Sequence, residues 1–387
     1  MRDYSEAERT PVRASAISLR DFRSFEELSL GGFRRVNVIC GENGAGKTNI
    51  IESMWLFTGG KSFRPAHDGD LIRYGGRLAE LELSFEADGR EQQARIALDA
   101  ATEKKKSWLN GVPLRSVQEL AGNFCCVAFT PSHMEIVKGG PESRRRFLDT
   151  LLCQMYPEYI VMLRRFKRVL LQRNAALKQL SERAGADMSY MTAWNESYAQ
   201  CAARVAEARE ALCAGITAAA CDCYSELSGE KERLGLRYLG GIRLERDAPR
   251  DAGTIKSAIR AELERCFERE TRYGATLVGP HRAELQLTLD GREAKLFGSQ
   301  GQQRSCVLAL KMAEAATLEQ KTGHIPIVLL DDVLSELDSR RRAVVLGSFE
   351  KNQVFITCCD ADRLNIAGDV NTIPLGEAEK ALDRGGN

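Results

Sequence analysis

Eight consecutive residues, Gly41, Glu42, Asn43, Gly44, Ala45, Gly46, Lys47 and Thr48, fill the spacing G-x-x-x-x-G-K-[ST] without a gap. The chemistry of that spacing is phosphate binding. Glycines let successive backbone N–H groups curl around phosphate oxygens, and the helix N-terminus behind the loop adds a favourable dipole. Lys47 is expected to reach the β and γ phosphates of a nucleoside triphosphate, and the Thr48 hydroxyl to bind Mg²⁺. Far along the chain, the apolar run Ile325–Leu330 ends in Asp331 and Asp332. A strand that delivers carboxylates at its C-terminal end places them where open α/β sheets bind ligands. Asp331 is expected to hold Mg²⁺, directly or through water, and Asp332 to polarise the attacking water. An acidic turn after a buried strand is the plainer reading of the pair, and the lysine loop argues against it. No N-K-x-D motif for guanine occurs, so ATP is the expected nucleotide.

A third segment, Gly298-Ser299-Gln300-Gly301-Gln302, stands immediately before a long helical run. A serine and a glycine at a helix start make another anion site. One chain does not need two such sites for one triphosphate. The segment resembles the signature loop of ABC ATPases, which closes over ATP held by a second subunit. That resemblance implies an ATP-dependent homodimer in which Ser299, Gly301 and Gln302 touch nucleotide and Ser299 shares in catalysis. Ser335-Glu-Leu-Asp338 resembles the D-loop of the same interface. Many ABC ATPases carry a γ-phosphate-sensing histidine after the strand that follows the acidic pair. Here the stretch is Thr357-Cys-Cys-Asp360, so slow hydrolysis is expected. No Q-loop glutamine is assigned.

These residues need elements to position them. Val36–Cys40 is a short apolar run that suits a buried strand, and helical spacing follows over Ile50–Phe57. Leu78–Phe85 and Ala94–Leu98 alternate, with Asp88-Gly89 between them, and Asn110-Gly111 marks a tight hairpin. An antiparallel sheet beside the nucleotide strand follows. From Pro141 the pattern turns helical, over Arg144–Met155, Glu158–Ser181, Met191–Cys223 and Thr254–Glu270. Strands return after Gly274, at Leu285–Leu289, Ile325–Leu330 and Val354–Thr357, with a helix over Gln302–Glu319. The fold class is α/β: an ABC-type P-loop ATPase head with an antiparallel β subdomain and an inserted α-helical arm lobe. Residues 13–135 and 274–387 are expected to form the split head, 136–273 the arm, and 1–12 a solvated, flexible tail.

Composition bounds the rest. Hydrophobic residues make up 43% of the chain and charged residues 28%, with a net charge of +1, ordinary for a globular protein. No apolar run approaches the ~20 residues that span a bilayer, and no secretory signal core opens the chain. The twelve cysteines lie largely in apolar runs rather than at metal-site spacing, which points to reduced thiols and the cytoplasm.

About 280 residues separate Lys47 from Asp331, and an inserted arm accounts for the excess. Among soluble ABC proteins with helical inserts the arm is too short for SMC or Rad50. The blocks Leu19-Arg-Asp-Phe-Arg-Ser-Phe25, Phe129-Thr-Pro131, Val137-Lys-Gly-Gly-Pro141, Ser143-Arg-Arg-Arg-Phe-Leu-Asp149, Leu170-Leu-Gln-Arg-Asn174, Gly279-Pro-His-Arg282 and Gly298–Ser305 follow the order of the RecF family. The chain is therefore identified, by resemblance, as a member of that family. The resemblance implies weak DNA-stimulated ATP hydrolysis, ATP-driven dimerisation on single-stranded or gapped DNA, and action with RecR and RecO in delivering RecA. The chain departs from the family at Ser132-His133, where acidic residues are usual. Ten basic residues against four acidic ones between Glu142 and Arg183 suit non-specific phosphate contact, and Arg144, Arg145 and Arg146 are the expected DNA contacts. Lys104-Lys105-Lys106 is a second basic run. The competing reading is the ATPase subunit of an ABC transporter, which shares the motifs but usually has the sensing histidine and no long helical insert.

Overall fold

The computed structural model describes residues 3–64, 67–102, 104–182, 189–245, 247–360, 366 and 369–376. The chain divides into two compact units, one of Met1–Met134, Glu226–Gly229 and Arg304–Asn387, the other of Glu135–Ser225 and Glu230–Gln303.

The first unit is built on a five-stranded parallel sheet, in the order Val370–Pro374, Val36–Cys40, Val354–Cys358, Ile327–Asp331, Cys126–Phe129. Ile327–Asp331 and Val354–Cys358 are buried at every position, as parallel strands covered on both faces must be. Asp331 pairs with Thr357, and Cys358 with Cys40. That register brings the C-terminal ends of three strands level. The chain therefore leaves into the Gly41 loop and into Asp332 along one edge. The helix Lys47–Leu56 follows the loop, and Ile50, Met54 and the adjoining Phe57 share one core with Leu19, Leu81 and Leu83 of the second sheet and with Ile39, Leu329 and Phe355 of the first.

That second sheet is antiparallel and six-stranded, in the order Phe25–Gly31, Arg13–Phe22, Leu78–Ala87, Arg90–Asp99, Lys104–Leu109, Val112–Leu114. Its two expected tight turns are present. Asp88 and Gly89 have φ of 53° and 66°, and Asn110 and Gly111 have 51° and 77°, the left-handed pairs that a two-residue hairpin needs.

The second unit holds the helices Pro141–Met155, Pro157–Ser181 and Ala252–Tyr273, and most of Ser189–Ser228. Proline opens two of them, where its missing N–H costs nothing. The Asp251 carboxylate caps a third by accepting from the Thr254 N–H at 2.9 Å. Ser189–Ser228 has 40 residues, about 60 Å of helix, longer than the expected Met191–Cys223.

Two expectations are corrected. Residues 3–12 are not a solvated tail. The Tyr4 N–H donates to the Gln320 carbonyl at 2.9 Å, Arg9 pairs with Glu319 at 2.8 Å, and Thr10–Pro11 pairs in parallel with His324–Ile325. Val12 is buried, and its backbone hydrogen bonds are satisfied by the neighbouring strand rather than by water. Residues 1–2 lie outside the described set. The head does not resume at residue 274. Leu234–Leu239, unread as a strand inside a helical stretch, pairs antiparallel with Glu284–Leu289. Alternating Leu234, Leu236 and Tyr238 is too short a pattern to outweigh the helical windows around it. This pairing keeps residues up to Gln303 in the second unit.

Candidate nucleotide-binding and catalytic site

Gly46 enters the helix Lys47–Leu56 at φ 93°, a left-handed conformation that favours glycine. A Cβ there would stand 2.5 Å from Cζ of Phe25. The aromatic that closes the Leu19–Phe25 block thus packs on the loop. The Lys47 ammonium donates to the Gly41 carbonyl at 2.6 Å and the Glu42 carbonyl at 2.9 Å, so it sits at the centre of the loop. Thr48 Oγ1 donates to the Asp331 carboxylate, 2.9 Å from Oδ1 and 3.0 Å from Oδ2. Residues far apart in sequence are thereby joined by a hydrogen bond.

Asp331 is 3% exposed. It also accepts from Thr357 Oγ1 at 2.8 Å. Burial raises its pKa above the usual aspartate range, and the nearby Asp332 charge adds to this. The Thr357 and Thr48 hydrogen bonds oppose the rise without cancelling it. A carboxylate held at such a cost is suited to a cation. Asp332 has φ 53°. Its N–H donates to Thr357 Oγ1 at 2.9 Å, and its Oδ1 accepts from Ser335 Oγ at 2.8 Å. Its carboxylate is exposed beside the buried one. Cys359 stands where the sequence lacks a histidine, its Sγ 3.1 Å from Asn43 Oδ1 and 3.9 Å from Lys47 Nζ.

Sequence reading missed a brace beneath the loop. Glu52, fully buried, accepts from Arg23 Nε at 2.9 Å and Nη2 at 2.7 Å, and also from Arg64 and Ser62. Burial alone would raise its pKa, but these bonds outweigh burial and hold the carboxyl below its ordinary value. Arg64 also donates to Asn49 Oδ1 at 2.7 Å, and Asn49 donates to Ser24 Oγ at 2.8 Å. Arg23 and Ser24 lie within the Leu19–Phe25 block, so a sequence signal existed, but its partner Glu52 reads as an ordinary helix-surface acid.

Ser299, Gly301 and Gln302 lie in the second unit. The Ser299 N–H donates to Gln302 Oε1 at 2.6 Å, and the Gln302 N–H to Ser299 Oγ at 3.3 Å. This is a reciprocal capping box on the helix Gln300–Thr322. Ser299 itself is exposed.

The expected DNA contacts divide. Arg144 is buried, pairs with Glu284 at 2.6 Å and 2.8 Å, and donates to the Ile136 and Gly139 carbonyls. It is withdrawn as a DNA contact, because a desolvated, fully paired guanidinium has nothing left for a phosphate. Arg173 is withdrawn from the basic surface for the same reason. It and Glu270 are wholly buried and 2.6 Å apart. Arg145 is half-buried and donates to the Ala283 carbonyl at 2.8 Å. Arg146 is exposed, as are Arg164, Arg165, Lys167, Arg168 and Lys178. Arg183 lies outside the described residues. In the other basic run Lys105 pairs with Asp68 at 2.7 Å, while Lys104 and Lys106 are exposed.

A phosphate loop, an acid pair at adjoining strand ends and a helix-capping serine–glycine segment define the head of an ABC-type ATPase. The family model of the RecF/RecN/SMC N terminal domain matches residues 14–379. The DNA replication and repair protein RecF of Heliobacterium modesticaldum is 38% identical over 348 residues, 89% of this chain and 92% of the relative. That of Syntrophotalea carbinolica is 36% identical, covering 91% of this chain and 94% of its own. A solved structure of the recombination mediator protein RecF with ATP superposes with a TM-score of 0.86 at 28% identity, covering 94% of this chain and 96% of the other. The Smc head domain of Pyrococcus furiosus, 16% identical with a TM-score of 0.52 over 96% of this chain and 99% of that one, shares the fold alone. The chain belongs to the RecF family of DNA replication and repair proteins. The transporter reading is set aside in favour of that family.

Proposed function

We propose that this chain is an ATP-driven DNA clamp of recombinational repair and replication restart, a slow DNA-stimulated ATPase that dimerises on nucleotide. The observation that carries the reading is the hydrogen bond from Thr48 to Asp331 beside the loop that encloses Lys47. Two hard oxygen donors stand side by side at the loop. Mg²⁺ characteristically takes one or two protein oxygens and completes its shell with water and phosphate. Among the described residues no cluster of three or more His, Cys, Asp or Glu could hold a metal alone, so a Thr48–Asp331 pair sharing the ion with phosphate is the arrangement that fits. Mg²⁺ would neutralise phosphate charge there.

In this reading residues 41–48 hold the triphosphate of ATP, Lys47 binds the β and γ phosphates, and Asp332 orients and polarises the attacking water. Ser299, Gly301 and Gln302 of one copy complete the pocket of the other. The exposed Arg145–Arg146 region and the basic face of Pro157–Ser181 take single-stranded or gapped DNA through its phosphates. RecR and RecO are the expected partners in delivering RecA, in the cytoplasm. Support for the partners comes from the family and from the RecFOR pathway named for the solved relative. No helix among the described residues is long and apolar enough to cross a membrane.

The test combines ATP turnover with sedimentation, each with and without gapped DNA. A monomer-to-dimer shift on adding ATP, and turnover raised by DNA, are expected. A chain that stays monomeric and indifferent to both ligands ends the proposal.

A further inference from the structure

Two large apolar side chains stand immediately before the capping serine. Leu296 is 66% exposed and Phe297 67% exposed, in the short helix Ala294–Phe297. Their presentation is rigid. Gln303, buried, donates through Nε2 to the Ala294 and Lys295 carbonyls at 3.2 and 3.0 Å. Lys295 Nζ donates to the Gly139 carbonyl at 3.2 Å. Ala294 is wholly buried, and the Gly298 N–H closes the turn onto its carbonyl at 3.1 Å. A Cβ at Gly298 would meet that carbonyl oxygen at 2.6 Å, so the tight exit requires glycine. The flanking Arg292, Glu293, Ser299 and Gln300 are exposed and polar.

An ordered apolar pair inside a polar rim is the anatomy of an interface centre. Rigid presentation also reduces the ordering cost of association. The chain geometry decides the occupant. Phe297 is two residues from Ser299, no more than about 7.6 Å between Cα atoms, so whatever receives Ser299 must also meet Phe297. We infer that Leu296 and Phe297 form the apolar anchor by which one copy of this chain seats on a second copy in the nucleotide-closed dimer. The inference rests on the dimer reading above and adds the residues that hold the dimer together. The capping box orients Ser299 toward the partner's nucleotide, and the Leu296–Phe297 pair supplies the buried contact beside it.

The experiment is sedimentation of the full chain with a non-hydrolysable ATP analogue, comparing wild type with the double variant Leu296→Ser/Phe297→Ser and with Phe297→Tyr. Binding of the analogue to dilute monomer and the melting temperature are measured alongside. Both side chains are largely exposed, so fold and monomer affinity are expected to stay within about twofold of wild type. The dimer dissociation constant is expected to rise at least about 30-fold in the double variant, and to stay near wild type in Phe297→Tyr, which keeps the ring. Wild type and double variant dimerising equally with the analogue would overturn this inference while leaving the nucleotide sandwich standing. A wild-type chain that remains monomeric with saturating analogue would overturn both. A double variant that dimerises normally but no longer binds a different protein would assign the pair to that protein and likewise overturn the inference.

Discussion

Lys47→Arg keeps the charge but replaces a compact ammonium, held by two loop carbonyls, with a broad planar fork. On the proposed roles, ATP binding survives in part and turnover falls by about two orders of magnitude, read by equilibrium binding beside a phosphate-release assay. Asp332→Asn is expected to trap the dimer on ATP; normal hydrolysis by this variant would remove Asp332 from its role. Asp331→Asn should separate stability from function. The Asp331 carboxyl has a raised pKa in the fold, so the folded state binds the proton more tightly than the unfolded chain. Its contribution to stability is therefore present below the unfolded pKa and lost as pH rises through the folded one. At neutral pH the neutral amide is expected to raise the melting temperature of the ligand-free protein while weakening Mg²⁺-nucleotide binding, measured by calorimetry with and without Mg-ATP. The phosphate-loop residues and the acid pair were legible because their spacing is dictated by the ligand. Arg144 was misread because a charge in a sequence does not reveal whether it faces water or Glu284. Removing it should cost about 3–5 kcal/mol of stability by stranding that carboxylate, whereas Arg146→Ala should leave stability unchanged and flatten the salt dependence of DNA binding.

At the scale of elements, the blocks of sequence shared with the family prove to be joints. Within the second unit, Asn174 of the Leu170–Asn174 block accepts from the Thr276 N–H at 2.8 Å, and Arg173 donates to Thr276 Oγ1 at 2.7 Å. Asp149 of the Ser143–Asp149 block pairs with Arg209, which in turn donates to the Pro280 carbonyl at 2.7 Å. Three stretches distant in sequence therefore converge on the Gly279–Arg282 turn. No spacing rule connects them, so sequence reading noticed the blocks without finding their purpose. His281 lies in that turn, with Nε2 2.9 Å from the Thr276 carbonyl and Nδ1 3.0 Å from the Tyr198 hydroxyl. Burial, reinforced by the charges of Arg282, Arg145 and Arg173, lowers its pKa to about 4, and the Thr276 bond only partly opposes this. The unfolded chain then takes up a proton that the folded one refuses. Stability attributable to His281 is full above its unfolded pKa of about 6.5 and declines as pH falls toward 4. Denaturant titrations of wild type and His281→Gln across that window should show a shallower loss in the variant.

For the whole molecule, a modest net charge of +1 conceals a segregated one, since the exposed cations of Pro157–Ser181 stand apart from the acid pair of the first unit. DNA affinity is expected to fall steeply with salt whatever the base sequence, measured by anisotropy from low to moderate salt. The division of the chain into a split unit and an insert was readable from the change of pattern at Pro141. Its return point was not, because Leu234–Leu239 is recognisable as a strand only beside its distant partner. Residues 3–12 were misjudged for a related reason: their partners lie at the end of the chain's other half. Those residues fasten the last turn of Gln300–Thr322, a 23-residue rod about 35 Å long, whose opposite end carries the proposed partner-facing cap. A dye placed near Asp3 would travel with the rod yet stand well clear of the cap, giving a handle for following subunit closure by energy transfer without touching the contact being observed.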